Sequence, residues 1–217
     1  MSLQVYEIFR SIQGETTRAG FPSLFIRLAG CNLNCAWCDT AYARRGGIPM
    51  TVDEIIARVK SAGRFDHVTV TGGEPLCQQE TPGLIGAILG MGHDVQVETN
   101  GSLPVSAIPA GARKIVDVKP PSSGEAGSFL AENLRHLAPG DELKFVTADP
   151  GDYTFCKNFI EKYAGHVKDG VTVNISPVPG KMDPAALAEM MLADGLNARL
   201  NLQLHAIIWP GGEKKDL

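Results

Sequence analysis

The stretch "SLFIRLAGCNLNCAWCDT", Ser23 to Thr40, decides how the rest of the chain is read. Its first part, "SLFIRLAG" (23–30), is apolar and reads as a strand. The strand runs straight into a loop that holds Cys31, Cys35 and Cys38 at C-x3-C-x2-C spacing. At that spacing one short loop wraps three thiolates around one metal centre. A closed structural zinc site needs a fourth protein ligand, usually from a second Cys/His pair. No such pair is present: Cys77 and Cys156 stand alone on other segments, and the five histidines do not pair. Three cysteines on an iron–sulfur cluster leave one iron open to an outside ligand, and thiolate suits that chemistry. Three unrelated buried thiols are the third reading, but Asn32, Asn34 and Asp39 make the loop too polar for a core.

Outward from the loop, strand and helix patterns alternate. "TVDEIIARVKSAG" (51–63) reads as a helix, with Thr51 as N-cap, Glu54 completing a capping box and Gly63 at the end. "HVTVTGG" (67–73) reads as a strand and "TPGLIGAILGMG" (81–92) as a short helix weakened by glycine. "DVQVETNG" (94–101), "RKIVDVKP" (113–120), "DELKFVTA" (141–148) and "TVNISPV" (172–178) are four further strands, and "LNLQLH" (200–205) is the last. "PGDYTFCKNFIEKYAG" (150–165) and "DPAALAEMMLADG" (183–195) are helices with proline near the start and glycine at the end. The segment 121–140 is the least regular and reads as a loop in place of a helix.

This alternation predicts parallel βαβ units. Six or seven strands with no linker, repeat or change of composition predict one α/β domain over residues 1–217, an open or partial barrel. In such folds the active site gathers at the C-terminal ends of the strands. The unusual residues fall there: the cysteines after one strand, "GGEP" after the next, then "ETNG" and "DVKPPSSG".

Composition narrows the class. The net charge of −4, with no long basic run and no RNA-binding aromatic signature, disfavours a nucleic-acid partner. A local basic pocket for a small anion remains open. No apolar run is long enough for a membrane span, and the N-terminus has no basic-then-apolar leader pattern, so a cytoplasmic protein is expected. An odd count of five cysteines, three of them clustered, speaks for metal or redox chemistry over disulfides.

The cysteine motif, with Trp37 before its last cysteine, resembles the hallmark of the radical S-adenosylmethionine family, and Gly72, Gly73 and Glu74 resemble that family's Gly-Gly-Glu motif. The resemblance implies a partial β/α barrel of about six parallel strands, with reduced helical cover and an N-terminal hairpin. It implies a 4Fe–4S cluster on Cys31, Cys35 and Cys38. The fourth iron would be chelated by S-adenosyl-L-methionine, whose cleavage gives a 5′-deoxyadenosyl radical. Glycines permit close backbone approach, and the Glu74 carboxylate would accept from the methionine ammonium. Trp37 would meet the adenine through its backbone, beside Asp39.

A wider set of motifs is similar to the 7-carboxy-7-deazaguanine synthase family: "EIFRSIQGE", "FIRLAGCNLNCAWCDT", "VTVTGGEPL", "VETNGS", "DVKPPSSG", "LKFV" and "LNLQLH". The resemblance implies a lyase that turns 6-carboxy-5,6,7,8-tetrahydropterin into 7-carboxy-7-deazaguanine with loss of ammonia, on the route to queuosine and related deazapurines. It further implies Mg²⁺, a flavodoxin or ferredoxin as electron donor, and a homodimer. Ile12, Gln13, Gly14 and Glu15 match the pterin-recognition loop; without the resemblance they read as a polar turn. Thr71 is a candidate substrate contact, or an ordinary strand threonine.

Arg27 lies within an apolar strand, and a buried arginine is costly unless paired. It reads as a clamp on the substrate carboxylate, against the alternative that it points to solvent. Thr40 matches the family's Mg²⁺ position, where magnesium keeps few protein ligands; the plain alternative is a turn threonine. Asp117, Lys119 and Ser122 resemble the region that holds S-adenosylmethionine, with Glu98 and Asn100 as further candidates. His205 matches a substrate-facing histidine, against a satisfied histidine at the rim. Cys77 and Cys156 read as structural thiols.

The chain departs from the pattern at Thr16, where glycine is common, and at Ala206, where lysine is frequent. It also departs in its tail, "PGGEKKDL", whose terminal Leu217 is a candidate substrate contact. Two other classes stay open: an activase that makes a glycyl radical on a partner enzyme, and a non-catalytic zinc-binding module.

Overall fold

The structure, a computed structural model, describes residues 2–210. Nine strands form one sheet: β1 (Ser2–Ile12), β2 (Pro22–Leu28), β3 (Ile48–Thr51), β4 (His67–Gly72), β5 (Asp94–Thr99), β6 (Arg113–Asp117), β7 (Glu142–Thr147), β8 (Thr172–Pro177) and β9 (Arg199–Leu200). Their order is β3-β1-β2-β4-β5-β6-β7-β8-β9. From β2 to β9 every neighbour is parallel, while β1 pairs antiparallel with both β2 and β3. The sheet is therefore open, with β3 and β9 at its edges. The β1/β2 hairpin and the parallel run match expectation; β3 is an addition, too short and too exposed to carry a strand signature in sequence.

The helices are α1 (Val52–Ser61), α2 (Thr81–Gly90), α3 (Pro150–Tyr163), α4 (Pro184–Asp194) and the five-residue α5 (Leu204–Ile208). Local chemistry sets their ends. Thr51 and Glu54 form the expected reciprocal capping box on α1. Asp149 and Asp183 accept from the backbone of Asp152 and Ala186 at the starts of α3 and α4. Between β6 and β7 two 3₁₀ turns, Pro121–Ser123 and Ala131–His136, replace a helix, as the irregular sequence there predicts.

One feature of the strands positions the site. Side chains alternate faces along a strand. Leu24, Ile26 and Leu28 of β2, Val68 and Val70 of β4, Val95 and Val97 of β5, and Leu143 and Phe145 of β7 enter one hydrophobic core with α1 to α4. Residues of the alternate register, Arg27, Thr71, Glu98 and Lys144, line a cavity on the other face. Parallel sheets are usually apolar on both faces. Here the face opposite α1 to α4 is largely polar, and that departure marks where the chemistry is.

The last expected strand is corrected. "LNLQLH" keeps the sheet only through Leu200. Asn201 is buried, donates from its backbone to Ile175 and from its side chain to Ser176, and ends the ladder. The chain then turns, Leu204 donates to the Gly14 carbonyl at 2.9 Å, and α5 covers the loop after β1. His205 thus sits on a helix, not on a strand. No helix among the described residues is long and apolar enough to cross a membrane.

Candidate active site

A cavity of about 930 Å³ opens at the C-terminal ends of the strands. Two rims meet there: the cysteine loop after β2, and the Gln13–Glu15 loop after β1 backed by α5.

The cysteine loop is held from several sides. Ala36 donates to the Ser123 carbonyl, Asn34 to Glu125, and Arg44 to the Cys35 carbonyl at 2.7 Å. Behind it, the Gly72–Gly73 turn packs so closely that a Cβ on Gly73 would lie 2.7 Å from the Cys31 Cβ, and one on Gly72 would overlap the Leu28 carbonyl. The glycines are needed for this approach of the chain to itself. All three thiols are partly exposed and face the cavity. The donor set, three thiols carried by one loop at the cavity mouth, fits a 4Fe–4S cluster with one iron left open to an outside ligand.

Trp37 lies against Val146, Ala148 and Val178 and donates to Ser122 at 2.9 Å. Ser122 in turn bonds Asp152 through both its backbone and its hydroxyl. It therefore stands behind Trp37 and outside the cavity lining. Glu74 is likewise outside the cavity lining. Its carboxylate is fully buried and accepts from the Leu76 and Asn100 backbone and the Thr99 hydroxyl, so it organises the end of β5 and does not face the cavity. Asn100 bonds Asn32 and lies 3.8 Å from the Cys31 sulfur. Asp39 and Thr40 line the cavity, with the Thr40 hydroxyl 3.7 Å from the Cys38 sulfur. Lys119 pairs with Asp117 at 2.9 Å and sits 5.9 Å from the Trp37 ring centroid.

On the other rim, Gln13 is buried, donates to Glu98 at 3.1 Å, and accepts from the Glu15 backbone. Glu98 also accepts from Thr71 and Gln96. Glu15 pairs with Lys144 and accepts from Gln203 at 2.5 Å. Burial alone would push the Glu15 carboxyl up, but Lys144 outweighs it and holds the group below the ordinary value. For Glu98 burial prevails, with Glu15 adding repulsion, and its carboxyl is raised. Gly14 leaves no room for a Cβ beside the His205 ring, so this glycine seats α5. Ile12 ends β1 opposite Pro22 and stays outside the cavity lining. Leu217 lies outside the described residues.

Arg27 is 6% exposed and turned into the cavity, which disposes of the solvent-facing alternative. Its Nε donates to Glu7 at 2.8 Å, and it lies near the rings of Phe9 and Tyr42. Glu7, Tyr42, Gln203 and Lys144 were not foreseen. Lys144 carried the same signal as Arg27, a charge between apolar residues in a strand, and could have been found by it. Cys77 is exposed and Cys156 is buried in the core, both away from the cavity lining.

An open parallel sheet with a three-thiol loop after one strand and a glycine turn after the next defines a radical S-adenosylmethionine enzyme, and residues 25–119 match the radical SAM superfamily. Over almost its whole length the chain is similar to two proteins named 7-carboxy-7-deazaguanine synthase. One, from Koribacter versatilis, is 42% identical, covering 95% of this chain and 97% of that protein. The other, from Chlorobaculum tepidum, is 44% identical, covering 95% and 94%. The chain belongs to the 7-carboxy-7-deazaguanine synthase family. Its fold matches the crystal structure of QueE from Escherichia coli with a TM-score of 0.79, at 22% identity over 94% of this chain and 95% of that one.

Proposed function

We propose that this chain converts 6-carboxy-5,6,7,8-tetrahydropterin to 7-carboxy-7-deazaguanine with release of ammonia. The observation that carries the reading is the meeting, in one cavity, of the three thiols with Arg27 and the Gln13–Glu15 loop. A bound 4Fe–4S cluster with S-adenosylmethionine supplies the means to take a hydrogen atom from an unactivated carbon.

The chain's own residues hold and shield. In this reading Cys31, Cys35 and Cys38 carry the cluster. Asp117 and Lys119 face the methionine and ribose of S-adenosylmethionine, and the apolar shelf of Trp37, Val146 and Val178 takes its flat base. Arg27 clamps the substrate carboxylate, as guanidinium geometry suits, and Thr40 offers its hydroxyl to a Mg²⁺ shared with that carboxylate. Gln13, Glu15 and Glu98 present polar groups to the amide-like pterin edge. Their task is orientation and exclusion of other hydrogen donors. A flavodoxin or ferredoxin as electron donor, and a homodimer, belong to the same reading.

Anaerobic turnover with 6-carboxytetrahydropterin, S-adenosylmethionine, Mg²⁺ and dithionite, read by mass spectrometry, tests it. The deazaguanine should form without stoichiometric loss of S-adenosylmethionine. Deoxyadenosine and methionine accumulating without it would overturn the substrate assignment.

A further inference from the structure

Four side chains of alternating charge cross the cavity. Glu15 pairs with Lys144, the Lys144 Nζ stands 3.8 Å from Asp117 Oδ2, and Asp117 pairs with Lys119 at 2.9 Å. One end lies in the half of the cavity assigned above to the pterin. The other reaches Trp37 on the cysteine loop, the half assigned to S-adenosylmethionine. Lys144 is the member common to both halves.

Its sharing is uneven. Lys144 is in contact with Glu15 and only within longer range of Asp117. The other oxygen of Asp117, Oδ1, is buried and has no hydrogen-bond partner among the described residues. A buried acceptor left unpaired is costly, so the ammonium has somewhere favourable to go. We propose that Lys144 is a positioning residue that couples the two halves: a ligand that engages Glu15 releases Lys144 toward Asp117, and so sets Asp117 and Lys119 for S-adenosylmethionine.

The coupling rests on the function proposed above. The N–H groups on a pterin edge compete with the ammonium for the lone pairs of Glu15. Lys144 is unsuited to giving up a proton in the process. Burial alone would push it down, but Glu15, Asp117 and Glu98 outweigh that and hold it above the ordinary lysine value. It acts as a fixed cation with two alternative partners, and a two-position element biased by one ligand alters the affinity for the other.

The test is a binding linkage in the reconstituted, oxidised protein without reductant, so that no turnover occurs. S-adenosylmethionine is titrated with and without saturating 6-carboxytetrahydropterin. In the wild type the pterin tightens S-adenosylmethionine by at least about fivefold, and the reverse titration gives the same factor. In K144M the factor falls to about one while each ligand alone still binds; K144R keeps part of it. Because K144M leaves Glu15 without its cation, K144Q, whose amide still offers Glu15 a donor, is measured beside it, and there too the linkage is lost while the thermal midpoint recovers. Unchanged linkage in K144M or K144Q overturns the inference and leaves the turnover reading standing. A wild type that binds both ligands with no linkage does the same. A wild type that does not bind the pterin overturns the function reading and this inference with it.

Discussion

Glu7 lies directly opposite Arg27 in the β1/β2 ladder, and its Oε1 accepts from the arginine Nε at 2.8 Å. The register of β1 shifts between Val5 and Glu7, an irregularity of the kind that re-aims a side chain. Tyr42, two residues beyond Thr40, donates to the same carboxylate oxygen at 3.2 Å. Glu7 therefore ties the arginine to the turn that carries Thr40. E7Q keeps an acceptor for Nε and loses the charge. Its expected effect is a rise of about tenfold in KM for the pterin, about 1.4 kcal/mol, with little change in kcat. R27K, which cannot grip a carboxylate with two parallel bonds, should raise it further. A lowered thermal midpoint with unchanged KM in both would make the pair purely structural.

Each of C31A, C35A and C38A should lose the brown colour and the iron of the anaerobically reconstituted protein. C77A and C156A should keep both. Iron content and visible absorption decide it. C156A removes a buried sulfur from the core, so it should also lower stability by about 1–2 kcal/mol in a denaturant titration.

Gly73 carries a strict steric demand, because a methyl group there would press on the Cys31 side chain and the Gly30 backbone. G73A should destabilise the protein by about 1–3 kcal/mol and lower iron incorporation, since the displaced neighbour is a ligand loop. G86A is the control: a Cβ there meets nothing within 4 Å in the middle of α2, and alanine in a helix is favoured by about 0.5–1 kcal/mol. Equal iron content in G73A and wild type would contradict the steric account.

Glu15 and Glu98 should pull stability in opposite directions as pH changes. The folded pKa of Glu15 is lowered, so its contribution is present above the unfolded value, about 4.3, and is lost as pH falls through the folded one. The folded pKa of Glu98 is raised, so its contribution is present below the unfolded value and is lost as pH rises through the folded one. Relative to wild type, E15Q should therefore be weakest at neutral pH and recover on acidification. E98Q should gain on wild type as pH rises. Chemical denaturation from acid to neutral pH checks both slopes.

Periodicity, caps and turn residues act locally, and they place most of this fold in the sequence. Thr51 and Glu54 announce α1, the irregular run after Pro120 announces a missing helix, and alternation announces a parallel sheet. The three clustered cysteines announce a candidate metal centre, because one loop carries all three thiols. Chemistry shared between distant segments leaves no such trace. Glu74 and Ser122 sit in motifs that read as ligand contacts, yet in the folded chain each bonds residues of the cavity wall from behind it.

Where the chain ends its sheet is likewise a tertiary matter. "LNLQLH" has the pattern of a strand, but Asn201 finds partners on β8, Leu204 finds the Gly14 carbonyl, and α5 forms as a wall of the cavity. The pairing of Glu15 with Lys144, 129 residues apart, exists only once β1 and β7 face a common space. Local propensity settled the class of fold, and the cysteine spacing pointed to a metal centre whose chemistry the family resemblance then named. Which charges meet across the cavity was settled by packing, because a buried ion chooses its partner by proximity in the folded state and by nothing in its own neighbourhood of sequence.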